Sequence, residues 1–280
     1  MTLCLILKKY NTPKSIIFRY NHQKSKDKGS FILTLTIIGP GSMAMAIAHG
    51  LKDKYILEFV ARDISKLETI KKEFSANVFA LKDFDISGKN ILLAVKPYAL
   101  ESVGREVKGE ANTIYSVLAG STIESIKQHI KTENTVRIMP NVAAKFQAST
   151  SVMTGDVTKK EEAEAIFSAI GDTFWVDSEK EIDIATAIAG SGPALLTLVA
   201  EAMMDGLVKE GMKRPDAVGI TNSLFNGFAP LIASNHPALI KDSVMSPGGT
   251  TAAAYAALEE GAVRSSFIKA VGEAFKITQK

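Results

Sequence analysis

Two short stretches of this chain carry residue types that could do chemistry. Ser246-Pro-Gly-Gly-Thr-Thr251 sets bare glycine backbone and two threonine hydroxyls ahead of an alanine-rich segment. Pro247, Gly248 and Gly249 do not readily continue a helix, whereas Thr250 to Glu260 reads as one, with Gly261 as its C-terminal stop. Free N–H groups at such a start attract a carboxylate or a phosphate. Taken alone, the block reads more simply as a Pro-Gly turn capping a core helix. Gly39-Pro-Gly-Ser-Met-Ala44 lies two hundred residues upstream and changes that balance. It is a G-x-G-x-x-A turn between a β-rich run and a small-residue helix, the context in which this pattern binds dinucleotides. Gly39 permits the tight turn, Gly41 lets backbone approach a pyrophosphate, and Ala44 keeps the helix close to the sheet. The two stretches together imply reduction of a small anionic substrate by a nicotinamide cofactor.

Further residues refine that chemistry. A carboxylate at the end of the second strand would hold the ribose 2′-hydroxyl of NADH, but here the strand ends Phe59-Val-Ala-Arg62. Ala61 supplies no acid and Arg62 offers a planar cation suited to a 2′-phosphate, so NADPH is the expected cofactor, with NADH as the alternative. Asp63 reads as a cap for the helix that begins at Ile64. Lys96, in Val95-Lys-Pro97, ends another strand at the edge where ligands of open α/β sheets bind, although a lysine beside a turn is often simply solvated. Gly190-Ser-Gly-Pro193 interrupts a long helical run and puts the Ser191 hydroxyl at a kink or break; the plainer role is close helix packing. His22, His49, His129 and His236 form no cluster, and no metal site is expected.

The elements that must position these residues follow from periodicity. Phe31 to Ile38, Leu57 to Val60, Ile91 to Val95, Thr113 to Leu118 and Thr135 to Ile138 read as short strands alternating with helices. That alternation implies an α/β, doubly wound parallel sheet, with Val152-Met153 and Phe174 to Val176 adding strands at its far edge. After Asp177 the strand signal ends, and Ile182 to Lys209, Pro215 to Ala233, Pro237 to Val244, Thr250 to Glu260 and Arg264 to Ile277 read as helix. The expected organisation is a basic, flexible extension over residues 1–30, a dinucleotide-binding domain over 31–177 and an all-helical domain over 178–280.

Composition narrows the classes. The chain has 280 residues, 46% of them apolar, enough for real cores. Residues 1–30 hold seven Lys/Arg against Asp27 alone, leaving 26 basic and 29 acidic groups beyond them, so no broad basic face argues for nucleic acid. The single cysteine, Cys4, allows no internal disulfide and points to the cytoplasm as the default. The apolar run Leu3 to Leu7 is too short for a signal or a membrane span, and no membrane partner is expected. The helix Ile182 to Lys209 is apolar on nearly all sides, so a second copy of the chain is its expected cover.

Over about residues 31–280 the chain resembles the pyrroline-5-carboxylate reductase family. The likeness rests on the Gly39 to Ala44 turn, Ala94-Val-Lys-Pro97, Arg137-Ile-Met-Pro-Asn141, Ala189-Gly-Ser-Gly-Pro-Ala194, Glu201-Ala-Met-Met-Asp-Gly206 and, most specifically, His236 to Thr251 followed by Leu258-Glu259. The resemblance implies a Rossmann-type sheet followed by a helical dimerisation domain, and NAD(P)H-dependent reduction of the cyclic imine 1-pyrroline-5-carboxylate to L-proline, the last step of proline biosynthesis. It implies a cofactor site of Gly39, Gly41, Ser42, Met43, Arg62, Ala94, Val95, Lys96, Pro97 and Ala119, and a substrate site of Ser191, Ser246, Gly248, Gly249, Thr250 and Thr251. Thr251 and Lys96 would act at the reacting atoms, the proton donor being Thr251, water or an imine already protonated. Ser42 stands where family members often carry Asn or another polar residue, and residues 1–30 have no counterpart in the family pattern. Two other readings fit the residues: another NADP-dependent reductase of a small 2-oxo or 3-hydroxy acid, and a non-catalytic NADP-binding regulatory protein.

Overall fold

A computed structural model describes residues 33–279; the expected N-terminal extension lies outside them. The first half alternates strand and helix: β1 (Thr34–Ile38), α1 (Ser42–Leu51), β2 (Ile56–Ala61), α2 (Leu67–Phe74), β3 (Asn77–Ala80), β4 (Asn90–Leu93), α3 (Leu100–Glu106), β5 (Ala111–Ser116), α4 (Ile123–His129) and β6 (Thr132–Met139). There follow β7 (Ser149–Gly155), α5 (Lys160–Phe167) and β8 (Gly171–Trp175). Among the described residues these strands form one sheet in the order β3-β2-β1-β4-β5-β6-β7-β8.

The alternation of side chains along β1 shows why helices lie on both faces. Leu35 and Ile37 join one core with Ala44, Ile47, Ala48 and Leu51 of α1, whereas Ile38 joins a second with Val60, Leu93, Leu100, Val103 and Ile126. Ala44 and Ala48 are fully buried, so α1 rests directly on the sheet. The strands buried on both faces accordingly read as near-continuous apolar runs.

Two departures from the sequence reading are structural. β3 was not anticipated, because Asn77-Val-Phe-Ala80 is short and mostly exposed at the sheet edge, with no apolar alternation to reveal it. The sheet is also not parallel throughout, since β7 pairs antiparallel with β6. The chain returns through residues 140–148, which hold only a 3-10 turn, Val142–Phe146, and so lack the crossover a parallel neighbour requires. β8 then pairs parallel with β7 after crossing through α5.

The second half is helical: α6 (Glu179–Ala189), α7 (Gly192–Lys209), α8 (Arg214–Ser234), α9 (Pro237–Val244), α10 (Thr250–Glu260) and α11 (Val263–Thr278). The expected break falls between α6 and α7. Pro193 costs little there because it occupies the first turn of α7, where no N–H donor is needed. Ser178 opens α6 with a reciprocal capping box to Glu181. Pro230 lies inside α8.

Strands give way to helices between Trp175 and Glu179, yet the compact units divide elsewhere: Leu198–Arg264 forms one, and the rest of the described chain the other. α6 explains the difference, because it packs on the sheet. Ile182 and Ala189 bury with Val152 of β7, and Arg137 of β6, its side chain 5% exposed, pairs with Glu179 at 2.7 Å and Asp183 at 3.0 Å.

Candidate active site

β1 is the point where the sheet order reverses: the chain proceeds to β2 and β3 on one side, then returns to β4 on the other. Ligands of open α/β sheets bind at the carboxyl ends beside such a switch. A cleft of about 600 Å³ opens there, and four successive strand exits line it. Gly41, Ser42, Met43 and Ala46 come after β1; Ala94, Val95, Lys96 and Pro97 after β4; Val117 and Ala119 after β5; Val142 and Lys145 after β6.

The turn after β1 has the geometry its glycines suggest. Gly39 sits at φ +90°, and a Cβ there would meet Val95 Cγ1 at 2.5 Å and Val95 backbone at 3.0 Å. Gly41 is extended, and a Cβ on it would meet no heavy atom within 4 Å, so the backbone lies bare. No side chain caps α1, leaving the first N–H groups of a ten-residue helix for an external acceptor. Lys96 and Lys145 are exposed cations on the rim, and no carboxylate lines the cleft. Bare backbone, a positive helix end and two ammonium groups fit the pyrophosphate of a dinucleotide.

Eight of the ten residues expected to bind cofactor line this cleft; Gly39 and Arg62 do not. They border a second hollow of about 190 Å³, with Ala61, Leu81, Ala99 and Val103, and Val95 lines both. Arg62 is also engaged: its Nε donates to Glu106 Oε1 at 2.8 Å and an Nη donates to Ser102 Oγ at 2.5 Å. Asp63 caps locally, as expected, accepting the Ser65 N–H at 3.1 Å.

Ala46, Val117, Val142 and Lys145 were missed. The last two stand on the 3-10 turn after β6, which Asn141 initiates by accepting the Ala143 N–H at 3.0 Å. The available signal was positional: Arg137 to Asn141 ends a strand at the same sheet edge as Lys96.

The Ser246–Thr251 block belongs to the helical unit. Gly248 adopts φ +67°, and the Gly249 N–H donates to the Ser246 carbonyl at 3.0 Å, closing the turn that precedes α10. Gly249 is the N-cap and supplies no side-chain acceptor, so the α10 N-terminus is uncapped, with Thr250 and Thr251 in its first turn. At the far end, Arg264 donates to Glu259 and to Tyr255; the first of these bonds holds the Glu259 carboxyl below the usual carboxylate range. Ser191 belongs to the sheet unit, half-buried at the α6–α7 break. A Cβ on neighbouring Gly190 would meet the flexible end of Met139 at 2.6 Å and the Thr186 carbonyl oxygen at 3.0 Å.

A doubly wound sheet with a glycine turn at its switch point defines a dinucleotide-binding fold, and residues 34–120 match the family described as NADP oxidoreductase, coenzyme F420-dependent, which makes the chain an oxidoreductase. Residues 179–280 match the family described as pyrroline-5-carboxylate reductase dimerisation. The chain is 33% identical over 252 residues to the pyrroline-5-carboxylate reductase of Helicobacter pylori, covering 86% of this chain and 97% of that one. It is 31% identical to the Arabidopsis thaliana enzyme of the same name, covering 85% and 92%. The solved 1-pyrroline-5-carboxylate reductase of Streptococcus pyogenes superposes with a TM-score of 0.78 at 26% identity, covering 88% of this chain and 98% of that one. The Plasmodium falciparum pyrroline carboxylate reductase, solved with NADP bound, gives 0.73 at 26% identity, covering 88% and 98%. The chain therefore belongs to the pyrroline-5-carboxylate reductase family.

Proposed function

We propose that this protein reduces 1-pyrroline-5-carboxylate to L-proline with NADPH, as the last step of proline biosynthesis in the cytoplasm, acting as a homodimer or an assembly of dimers. The observation that carries the reading is the switch-point cleft, with bare glycine backbone, two lysines and no carboxylate, in a chain of this family. We further assign residues 31–177 to cofactor binding and 178–280 to substrate binding and dimerisation.

The α1 N-terminus, with Gly41, Ser42 and Met43, holds the pyrophosphate, and Lys96 and Lys145 balance its charge. Ala94, Pro97 and Ala119 shape the wall against which the dinucleotide lies, and Arg62 meets the 2′-phosphate. When bound, the cofactor supplies the hydride. The protein's part is to bind the imine with its electrophilic carbon facing that donor and to hold charge in place. N–H groups around Gly248 to Thr251, supported by Ser246, take the substrate carboxylate. Thr251 orients the ring nitrogen, which carries a proton as the C=N bond accepts the hydride and becomes a secondary amine. An ordinary hydroxyl is too weak an acid to be the sole source of that proton, so Thr251 relays it from water or meets an imine already protonated.

The test follows NADPH absorbance with purified protein and the cyclic imine, and identifies the product. NADPH loss and proline gain should be equal. Reduction of a linear 2-oxo acid without reduction of the imine would transfer the protein to the alternative reductase class, and tight NADPH binding with no turnover to the regulatory one.

A further inference from the structure

The carboxylate missing from the end of β2 is supplied by another element. Ala61 carries no acid, but Glu106, the last residue of α3, reaches across to Arg62 and accepts from its Nε at 2.8 Å. Ser102, one turn earlier on α3, accepts from the same guanidinium and donates in turn to the Ala99 carbonyl at 2.9 Å, so its oxygen is fixed. The guanidinium is thus held from two directions beside the small hollow that Gly39 and Ala61 border. Both partners remain in contact with water, the side chains of Arg62 and Glu106 being 51% and 29% exposed, so the pair can open at small cost.

We propose that Glu106 is a specificity-determining residue that acts through Arg62, damping the preference for a 2′-phosphate and keeping NADH usable. The inference rests on the nicotinamide-dependent reading above. A 2′-phosphate brings almost two negative charges to a guanidinium whose Nε is already committed to a carboxylate, so binding must loosen that pair and tolerate Glu106 nearby. A 2′-hydroxyl makes neither demand. The cation of Arg62 and the anion of Glu106 therefore set opposite preferences at one place, and their balance fixes the ratio between the two cofactors.

The experiment compares the full-length protein with E106Q, E106A, R62A and the double variant R62A/E106Q. It measures kcat and KM with NADPH and NADH, and titrates binding of adenosine 2′,5′-bisphosphate and 5′-AMP by calorimetry. E106Q should raise the NADPH-to-NADH ratio of kcat/KM about fivefold, the equilibrium worth of an exposed ion pair. The gain should lie in KM for NADPH with kcat retained, and should reappear as tighter binding of the bisphosphate but not of 5′-AMP. E106A should move both readouts the same way, and R62A should lower the ratio. In the R62A background the effect of E106Q should shrink to less than half. An active enzyme whose ratio and bisphosphate affinity do not move in E106Q overturns the proposal while leaving the reductase reading intact. An equal E106Q effect with and without Arg62 overturns the claim that Glu106 acts through it. Failure of the unaltered protein to bind either adenosine probe or reduce the imine overturns both readings.

Discussion

Thr251→Val keeps the shape of the side chain and removes its hydroxyl, so it separates orientation of the imine from binding of the cofactor. Turnover of the imine should fall about ten- to a hundredfold, the worth of one orienting hydrogen bond. NADPH affinity by fluorescence titration should hold, and unchanged turnover would remove Thr251 from the chemistry. Gly39→Ala makes the opposite separation. Its Cβ would meet Val95 Cγ1 at 2.5 Å in a left-handed backbone conformation, so the turn must shift, and NADPH binding should weaken at least about tenfold. A glycine turn of this kind is legible in sequence because the steric demand is local. Lys145 is legible only by position, as part of the segment that leaves a strand at the same sheet edge; no local pattern shows that this turn folds against α1. Nor could Arg62, recognisable as a cation at the end of β2, reveal that Glu106, forty-four residues on, would bind it.

At the scale of elements, the Arg137–Glu179–Asp183 cluster ties α6 to β6, and Glu179 also accepts the Ile123 N–H at the start of α4 at 2.9 Å. One guanidinium therefore organises two helix starts and a strand. Arg137→Ala leaves two partly exposed carboxylates without their cation, and should cost about 2–3 kcal/mol in urea unfolding. A loss below about 1 kcal/mol would show the cluster to be as weak as an exposed surface pair. The strand–helix alternation and the α6–α7 break were readable because each rests on local pattern: apolar runs for the buried strands, and Gly190 to Pro193 for the break. The reversed direction of β7 was not readable, since Val152-Met153 gives an apolar signal that is the same in either direction. Only the absence of a helix between β6 and β7 forces the antiparallel return. α6 has a helical pattern like the helices after it, and its buried residues Ile182 and Ala189 pack with Val152 of the sheet.

For the molecule as a whole, the helical unit leaves large apolar side chains uncovered in a single chain, among them Leu198, Leu224 and Leu239. The run Glu179–Lys209 is long and apolar enough by length and composition to cross a membrane, but the Gly190-Ser191 break divides it and it lies within the family's dimerisation region. A second copy is therefore the cover we expect. Light scattering at low micromolar concentration should give about twice the 30.1 kDa chain mass or a multiple of that; a folded, fully active monomer would refute it. An apolar helix with no polar face is legible in sequence, and it falls within the region that matches the family's dimerisation model. The charge pattern of the cleft has a kinetic consequence. Its rim is cationic while the chain beyond residue 30 carries a slight excess of acid, so attraction for an anionic cofactor is concentrated at the mouth rather than spread over the surface. Such attraction acts over about 8–10 Å in physiological salt, which makes the encounter rate with the dinucleotide, more than its residence time, the quantity that ionic strength governs.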